Sequence, residues 1–84
     1  MQSRLESLYE SCLAEVGAAG SAAALQEVNQ RYLGKKGALT VVLKELGSLS
    51  PEERKSVGKR ANEIKEAITG AIAARREAIL EQAS

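Results

Sequence analysis

The stretch from Ser50 to Ala83 constrains this chain more than any other. It opens Ser50-Pro51-Glu52-Glu53, with Ser50 placed to cap a helix, Pro51 at its first position and Glu53 spaced to close a capping box. No further proline follows. Val57, Ala61, Ile64, Ile68, Ala71, Ile72, Ala78 and Ile79 then recur three and four residues apart, the pattern of an amphipathic helix with a coiled-coil-like seam. About 32 residues at 1.5 Å rise reach roughly 48 Å. One face of so long a helix has to be covered along its length, and in 84 residues the rest of the chain must supply the cover.

Composition says what kind of cover is possible. Leu, Ile and Val number 10, 4 and 5, and Phe and Trp are absent. Such side chains, with many alanines, fill a thin seam between helices more readily than a round core. Ala, Leu, Glu, Lys, Gln and Arg dominate and favour helix, and no stretch alternates as a strand would, so the chain reads as all-α. Ser3 and Glu6 are spaced as a capping box for a first helix, whose apolar stripe is Leu5, Leu8, Tyr9, Cys12, Leu13 and Val16. Gly17 and Gly20 end it, and Ser21 caps a second helix over about 22–33 carrying Leu25, Val28, Tyr32 and Leu33. Gly34-Lys35-Lys36-Gly37 interrupts as a kink or a short loop. A third helical stretch, about 38–46, carries Leu39, Val42, Leu43 and Leu46, with Gly47 as the natural residue past its end.

These lengths predict an antiparallel helical hairpin or coiled coil. The long helix, about 51–83, packs against a broken helix, about 22–46, and the first helix packs across the base near residues 70–83. Residues 1–84 read as a single domain. There is no secretory signal and no apolar run long enough to cross a membrane, which makes a cytoplasmic protein the default expectation.

Net charge is only +1, yet it is unevenly spread: −3 over residues 1–30, +5 over 31–60 and −1 over 61–84. In the hairpin this gives a projecting arm with a positive outer half. With no His and no Asp, histidine-based nucleophilic catalysis and Asp-based metal sites are excluded, and no catalytic, cofactor or metal site is expected in this stretch. Glu52 and Glu53 are explained by the helix dipole. Cys12 is the lone cysteine, which rules out an internal disulfide, and its place on an apolar face reads as packing.

Two basic features remain. Lys35 and Lys36 between two glycines suit a phosphate, or form an ordinary solvated turn. Arg54, Lys55, Lys59 and Arg60 gather at the start of the long helix. Lys55, Lys59 and Asn62 lie opposite Val57, Ile64 and Ile68, as a solvated face with Lys59 paired to Glu63 or as a face for an anionic partner. Gly58 and Gly70 inside the long helix imply close approach by the partner helix or by a ligand, since each costs roughly 1 kcal/mol relative to Ala. Arg75 lies on the apolar stripe, where its stem covers the seam and its head reaches a glutamate at the base.

The run Arg31-Tyr32-Leu33-Gly34-Lys35-Lys36-Gly37-Ala38-Leu39-Thr40 resembles the N-terminal region of the alpha subunit of bacterial phenylalanine–tRNA ligases. So does Leu46-Gly47-Ser48-Leu49-Ser50-Pro51-Glu52-Glu53-Arg54, and the pattern continues through Gly58, Asn62, Lys65 and Arg75-Arg76. The resemblance covers nearly the whole chain and is weakest over residues 1–24. It implies a tRNA-binding helical arm that precedes a catalytic domain, in an enzyme of two alpha and two beta subunits. The arm reaches phenylalanine-specific tRNA held mainly by the other alpha–beta pair, while the catalytic domain, absent here, uses ATP and magnesium. The resemblance carries the site onto Lys35, Lys36 and Arg54. Arg31, Lys55, Lys59 and Arg60 are candidates on charge. The competing expectation is a structural or protein-interaction hairpin that binds no nucleic acid.

Overall fold

Ser50 starts the long helix as its sequence predicts. Its hydroxyl accepts from the Glu53 N–H at 3.3 Å, and its carbonyl accepts from the Arg54 N–H at 2.8 Å. From there α4 runs unbroken over Pro51–Ala83. The computed structural model describes residues 2–83, so Met1 and Ser84, the ends of the expected domain, lie outside the described residues. Three shorter helices precede α4: α1 (Gln2–Ala18), α2 (Ala22–Leu33) and α3 (Ala38–Glu45), with a 3-10 turn at Leu46–Ser48 closing the hairpin. No strand occurs among the described residues. The extents are 50 × 19 × 15 Å, and roughly 1.5 Å of rise per residue makes α4 alone long enough to set the first of them.

The core is the expected thin seam. Val57, Ala61, Ile64, Ile68 and Ile72 of α4 are buried against Leu25, Val28 and Tyr32 of α2 and Leu39 and Val42 of α3. Leu5, Cys12 and Val16 of α1 complete it, with Ala19 just beyond that helix. Ala71 and Ile79 are half-buried against the same cluster. Leu13, expected on the inner stripe, is 37% exposed. It sits one residue past Cys12, about 100° around the helix from it.

The first helix lies differently from the expectation. Its C-terminal end reaches the base, where Ala19 meets Arg75, but the helix does not cross there. Glu6 meets Arg60 and Arg4 meets Glu45, so α1 runs lengthwise beside α4, parallel to it, with its first turns toward the tip. Most of the seam needed a third wall, and a helix laid along it buries far more apolar surface than one crossing an end. Ser3 is already inside α1, so no capping box forms with Glu6, whose carboxylate is engaged by Arg60. Arg75 places its head on a backbone group, donating from Nε and Nη2 to the Ala19 carbonyl at 3.0 and 2.8 Å where a glutamate was expected. The arginine thereby satisfies a carbonyl left over at the end of α1.

The glycines divide into two kinds. A Cβ at Gly34 would sit 2.4 Å from the Gln30 carbonyl oxygen, and one at Gly37 would sit 2.6 Å from the Tyr32 carbonyl. Backbone crowding therefore reserves both positions. By contrast, nothing lies within 4 Å of a Cβ built at Gly70, and at Gly58 the nearest atom is a Leu46 methyl at an ordinary 3.9 Å. Among the described residues no partner helix makes the close approach expected at those two positions. Gly47 has no left-handed backbone either; it falls inside the 3-10 turn.

Two substitutions separate these kinds. Gly70→Ala should raise unfolding free energy by about 1 kcal/mol through helix propensity alone. Gly37→Ala should lower it by about 1–3 kcal/mol, because backbone must move. Urea denaturation followed by circular dichroism measures both, and equal effects would contradict the packing described.

Candidate nucleic-acid interface

The break between α2 and α3 is a four-residue loop, and hydrogen bonds fix its shape. The Gly34 N–H closes on the Gln30 carbonyl at 3.0 Å. The Gly34 carbonyl accepts from the Gly37 N–H at 2.9 Å and from the Thr40 hydroxyl at 2.7 Å. The glycine amides thus turn inward, and what the loop offers to solvent is the exposed pair Lys35 and Lys36. The α3 helix that follows has Gly37 at its cap, with no side chain accepting from its first N–H groups.

A second basic group begins α4. Lys55 and Lys59 are exposed one turn apart, with Asn62 exposed on the same face and Val57, Ile64 and Ile68 buried opposite. Arg54 is exposed and donates to the Gly47 and Leu49 carbonyls at 3.5 and 3.3 Å, leaning over the hairpin tip. The two groups are not one cluster: α3 and the turn put the Gly34–Gly37 loop roughly 15 Å back from the tip. Lys44 in the last turn of α3 is also exposed. It bridges this interval along the chain, yet its place in the basic third was the only signal for it.

The other two candidates are engaged inside the molecule. Arg31 pairs with Glu15 of α1, and the second oxygen of that carboxylate accepts from the buried Tyr32 hydroxyl. Arg60 grips Glu6 with Nε at 2.6 Å and Nη2 at 2.9 Å, and reaches Glu63 with Nη1 at 3.2 Å. Its guanidinium also lies 5.7 Å from the centre of the Tyr9 ring. Thus Glu63 takes Arg60 rather than the expected Lys59. Lys35, Lys36, Lys44, Lys55 and Lys59 make no ion pair among the described residues.

These contacts set the titration of the groups involved. Arg60 hydrogen-bonded to Glu6 holds that carboxyl below its ordinary value, and the carboxylate in turn raises the arginine. Burial, then the hydrogen bond to Glu15, pushes Tyr32 up to about 12. Burial, with the Glu15 charge behind it, pushes the Cys12 thiol up to about 11. A groove of about 560 Å³ between α1 and α3 is walled by Ser3, Ser7, Ser11, Leu8 and Val41 with Arg4 at its edge. It brings together no acid–base pair and no nucleophile with a base. Among the described residues no helix is long and apolar enough to cross a membrane.

Both raised groups favour the fold while protonated. Their contribution is complete below the ordinary values of 9.0 and 10.0 and is lost as pH rises through about 11 and 12. The midpoint of thermal unfolding should therefore fall steadily above pH 9. In a Tyr9→Phe chain, where Tyr32 is the sole tyrosine, tyrosinate absorbance should appear near pH 12 while the helices persist. A midpoint near 10 in an intact fold would contradict the buried Tyr32–Glu15 contact.

Comparison with known proteins gives this geometry a setting. Residues 20–84 match the family described as aminoacyl tRNA synthetase class II, N-terminal domain. The chain is 54% identical over 66 residues to a phenylalanine–tRNA ligase alpha subunit of Geobacter sulfurreducens, covering 79% of this chain and 20% of that protein. It is 45% identical over 83 residues to that of Halalkalibacterium halodurans, covering 99% and 24%. For a Methylobacterium species the identity is 49% over 79 residues, covering 94% and 22%. The chain thus spans about a fifth to a quarter of the length of these relatives. No solved structure matches it. The chain belongs to the N-terminal domain family of class II aminoacyl-tRNA synthetases, and its likeness to phenylalanine–tRNA ligase alpha subunits extends over nearly its whole length.

Proposed function

We propose that this chain is the tRNA-binding arm of a phenylalanine–tRNA ligase alpha subunit, forming one domain over residues 1–84. The observation that carries the reading is a set of exposed lysines without ion-pair partners among the described residues, Lys35, Lys36, Lys55 and Lys59, on a rod 50 Å long. Lysines on a rigid arm displace counterions from phosphates and fix the orientation of an RNA without reading its bases. Arg54 and Lys44 extend the same surface. Arg31 and Arg60 join it only by leaving their carboxylates.

Aminoacylation itself falls to the remainder of the subunit, which uses ATP and magnesium. The whole enzyme is a cytoplasmic assembly of two alpha and two beta subunits. No cofactor belongs to the arm. Within the assembly the arm is one tethered contact among several, so weak affinity of its own is sufficient.

Titration of phenylalanine-specific tRNA into the 84-residue chain at increasing salt tests this. Log affinity should fall linearly with log salt. Each of Lys35→Ala, Lys36→Ala, Lys55→Ala and Lys59→Ala should flatten the slope by about 0.9, and Arg60→Ala by much less. Absent binding at low salt, or indifference to all four lysines, would leave the helical hairpin as a structural or protein-interaction element.

A further inference from the structure

We infer that α1 is a built-in competitor for phosphate, its glutamates occupying two arginines that would otherwise belong to the anion-binding surface. This rests on the phosphate-contact reading above and concerns how the same surface is regulated. Three observations converge on it.

The first is the geometry at Arg60. Glu6 meets it with two parallel bonds, Nε to Oε1 at 2.6 Å and Nη2 to Oε2 at 2.9 Å. This fork is the one a guanidinium presents to a phosphate. The second is repetition. Glu15, further along the same helix, takes Arg31, whose side chain is otherwise 59% exposed and open to a ligand. The third is where these acids come from. The match to the N-terminal domain family begins at residue 20, after α1 ends at Ala18. Arg31 and Arg60 lie within the family match, as does Glu63, whereas Glu6 and Glu15 lie on the helix before it.

The pairs are well suited to exchange. The arginine and glutamate side chains in both remain about a third or more exposed. Partly exposed ion pairs of this kind hold weakly and yield to a competing anion. Arg31 should yield first. Arg60 is also held by Glu63 and stacked over Tyr9, so removal of Glu6 leaves it partly tied. α1 itself need not detach, because only the carboxylates compete. The acidic helix therefore lowers the number of phosphates the arm engages, which weakens its affinity and flattens its salt dependence.

The test compares the 84-residue chain with Glu15→Gln, Glu6→Gln and Glu10→Gln. Glu10 is exposed on the same helix and pairs with no arginine among the described residues, so it controls for net charge. Gln at position 15 keeps an acceptor for the Tyr32 hydroxyl. Two probes are titrated across a salt series, phenylalanine-specific tRNA and inorganic polyphosphate, with helicity checked by circular dichroism. Glu15→Gln should tighten binding about 3- to 10-fold at low salt and steepen the salt slope by about 0.9. Glu6→Gln should gain less, and Glu10→Gln should stay within about twofold, as for a diffuse charge effect. Arg31→Ala in the Glu15→Gln background should erase the gain. A gain on polyphosphate without tRNA binding would uphold the competition and sink the tRNA reading. Binding of tRNA with no gain in either variant over Glu10→Gln would do the reverse, as would a gain that survives Arg31→Ala. If Glu15→Gln loses helicity, Glu6→Gln decides the question at Arg60 alone.

Discussion

The apolar seam of α4 is the constraint from which the rest of the structure follows. Val57, Ala61, Ile64, Ile68 and Ile72 form a nearly straight line on one face, and a helix of 33 residues would otherwise leave it in water. Burying one Leu or Ile fully contributes about 1.5–3 kcal/mol, so two walls are better than one. α2 and α3 come back along one side and α1 lies along the other. Small residues at the contact, among them Cys12, Ala19 and Ala61, let the backbones come close enough for so slight a core to be continuous. Of the two tyrosines, Tyr32 is the buried one, and it arrives with a hydroxyl that must be satisfied. Glu15 supplies the acceptor, and its other oxygen draws in Arg31. A packing requirement at the end of α2 thus decides the fate of a charge on the surface.

What the sequence made legible was local, and what it concealed was pairing at a distance. Ser21 caps α2 with its hydroxyl on the Ala24 N–H at 3.2 Å, and Ser50 caps α4, because such contacts span three residues and carry their own signature. Gly34 and Gly37 were recognisable as a break, though the reason for them is backbone crowding and not outward-turned amides. Ser3 misled because Ser-x-x-Glu marks helix starts only on average, and Glu6 had a better partner 54 residues away. The lengthwise course of α1 was hidden for the same reason. Its stripe says that it is amphipathic, but not which stretch of α4 it meets. Leu5 near the tip and Ala19 at Arg75 fix that register only in three dimensions.

The candidate site shows the same division in its charges. Sign and rough placement were readable, and the basic third of the chain does occupy the loop, the tip and the first turns of α4. Whether a given cation is available was not readable, and side-chain chemistry explains which ones are. The arginines at 4, 31, 60 and 75 all serve internal contacts with carboxylates or a carbonyl, and at Arg60 and Arg75 the planar fork is gripped through two nitrogens, which costs it little freedom per bond. The lysines at 35, 36, 44, 55 and 59 stay in solvent, being compact, strongly hydrated charges on flexible stems. Arg54 falls between, exposed but resting on two carbonyls of the tip.

That partition bears on the kind of recognition such a surface can perform. Lysines act as point charges and tolerate small changes in the position of a phosphate, whereas arginine forks demand a particular approach. On the proposed reading, an arm that presents lysines and holds its arginines in reserve selects for the path of a backbone more than for any single contact. It also couples the fold to the charge state of the surface, since Glu6 and Glu15 support the packing of α1 and occupy Arg60 and Arg31 at once. A phosphate that displaced either carboxylate would exchange one charged contact for another at nearly equal free energy. Binding of that kind is weak at each point and reversible. It suits a projecting element whose reach, and not its own affinity, is its contribution to a larger assembly.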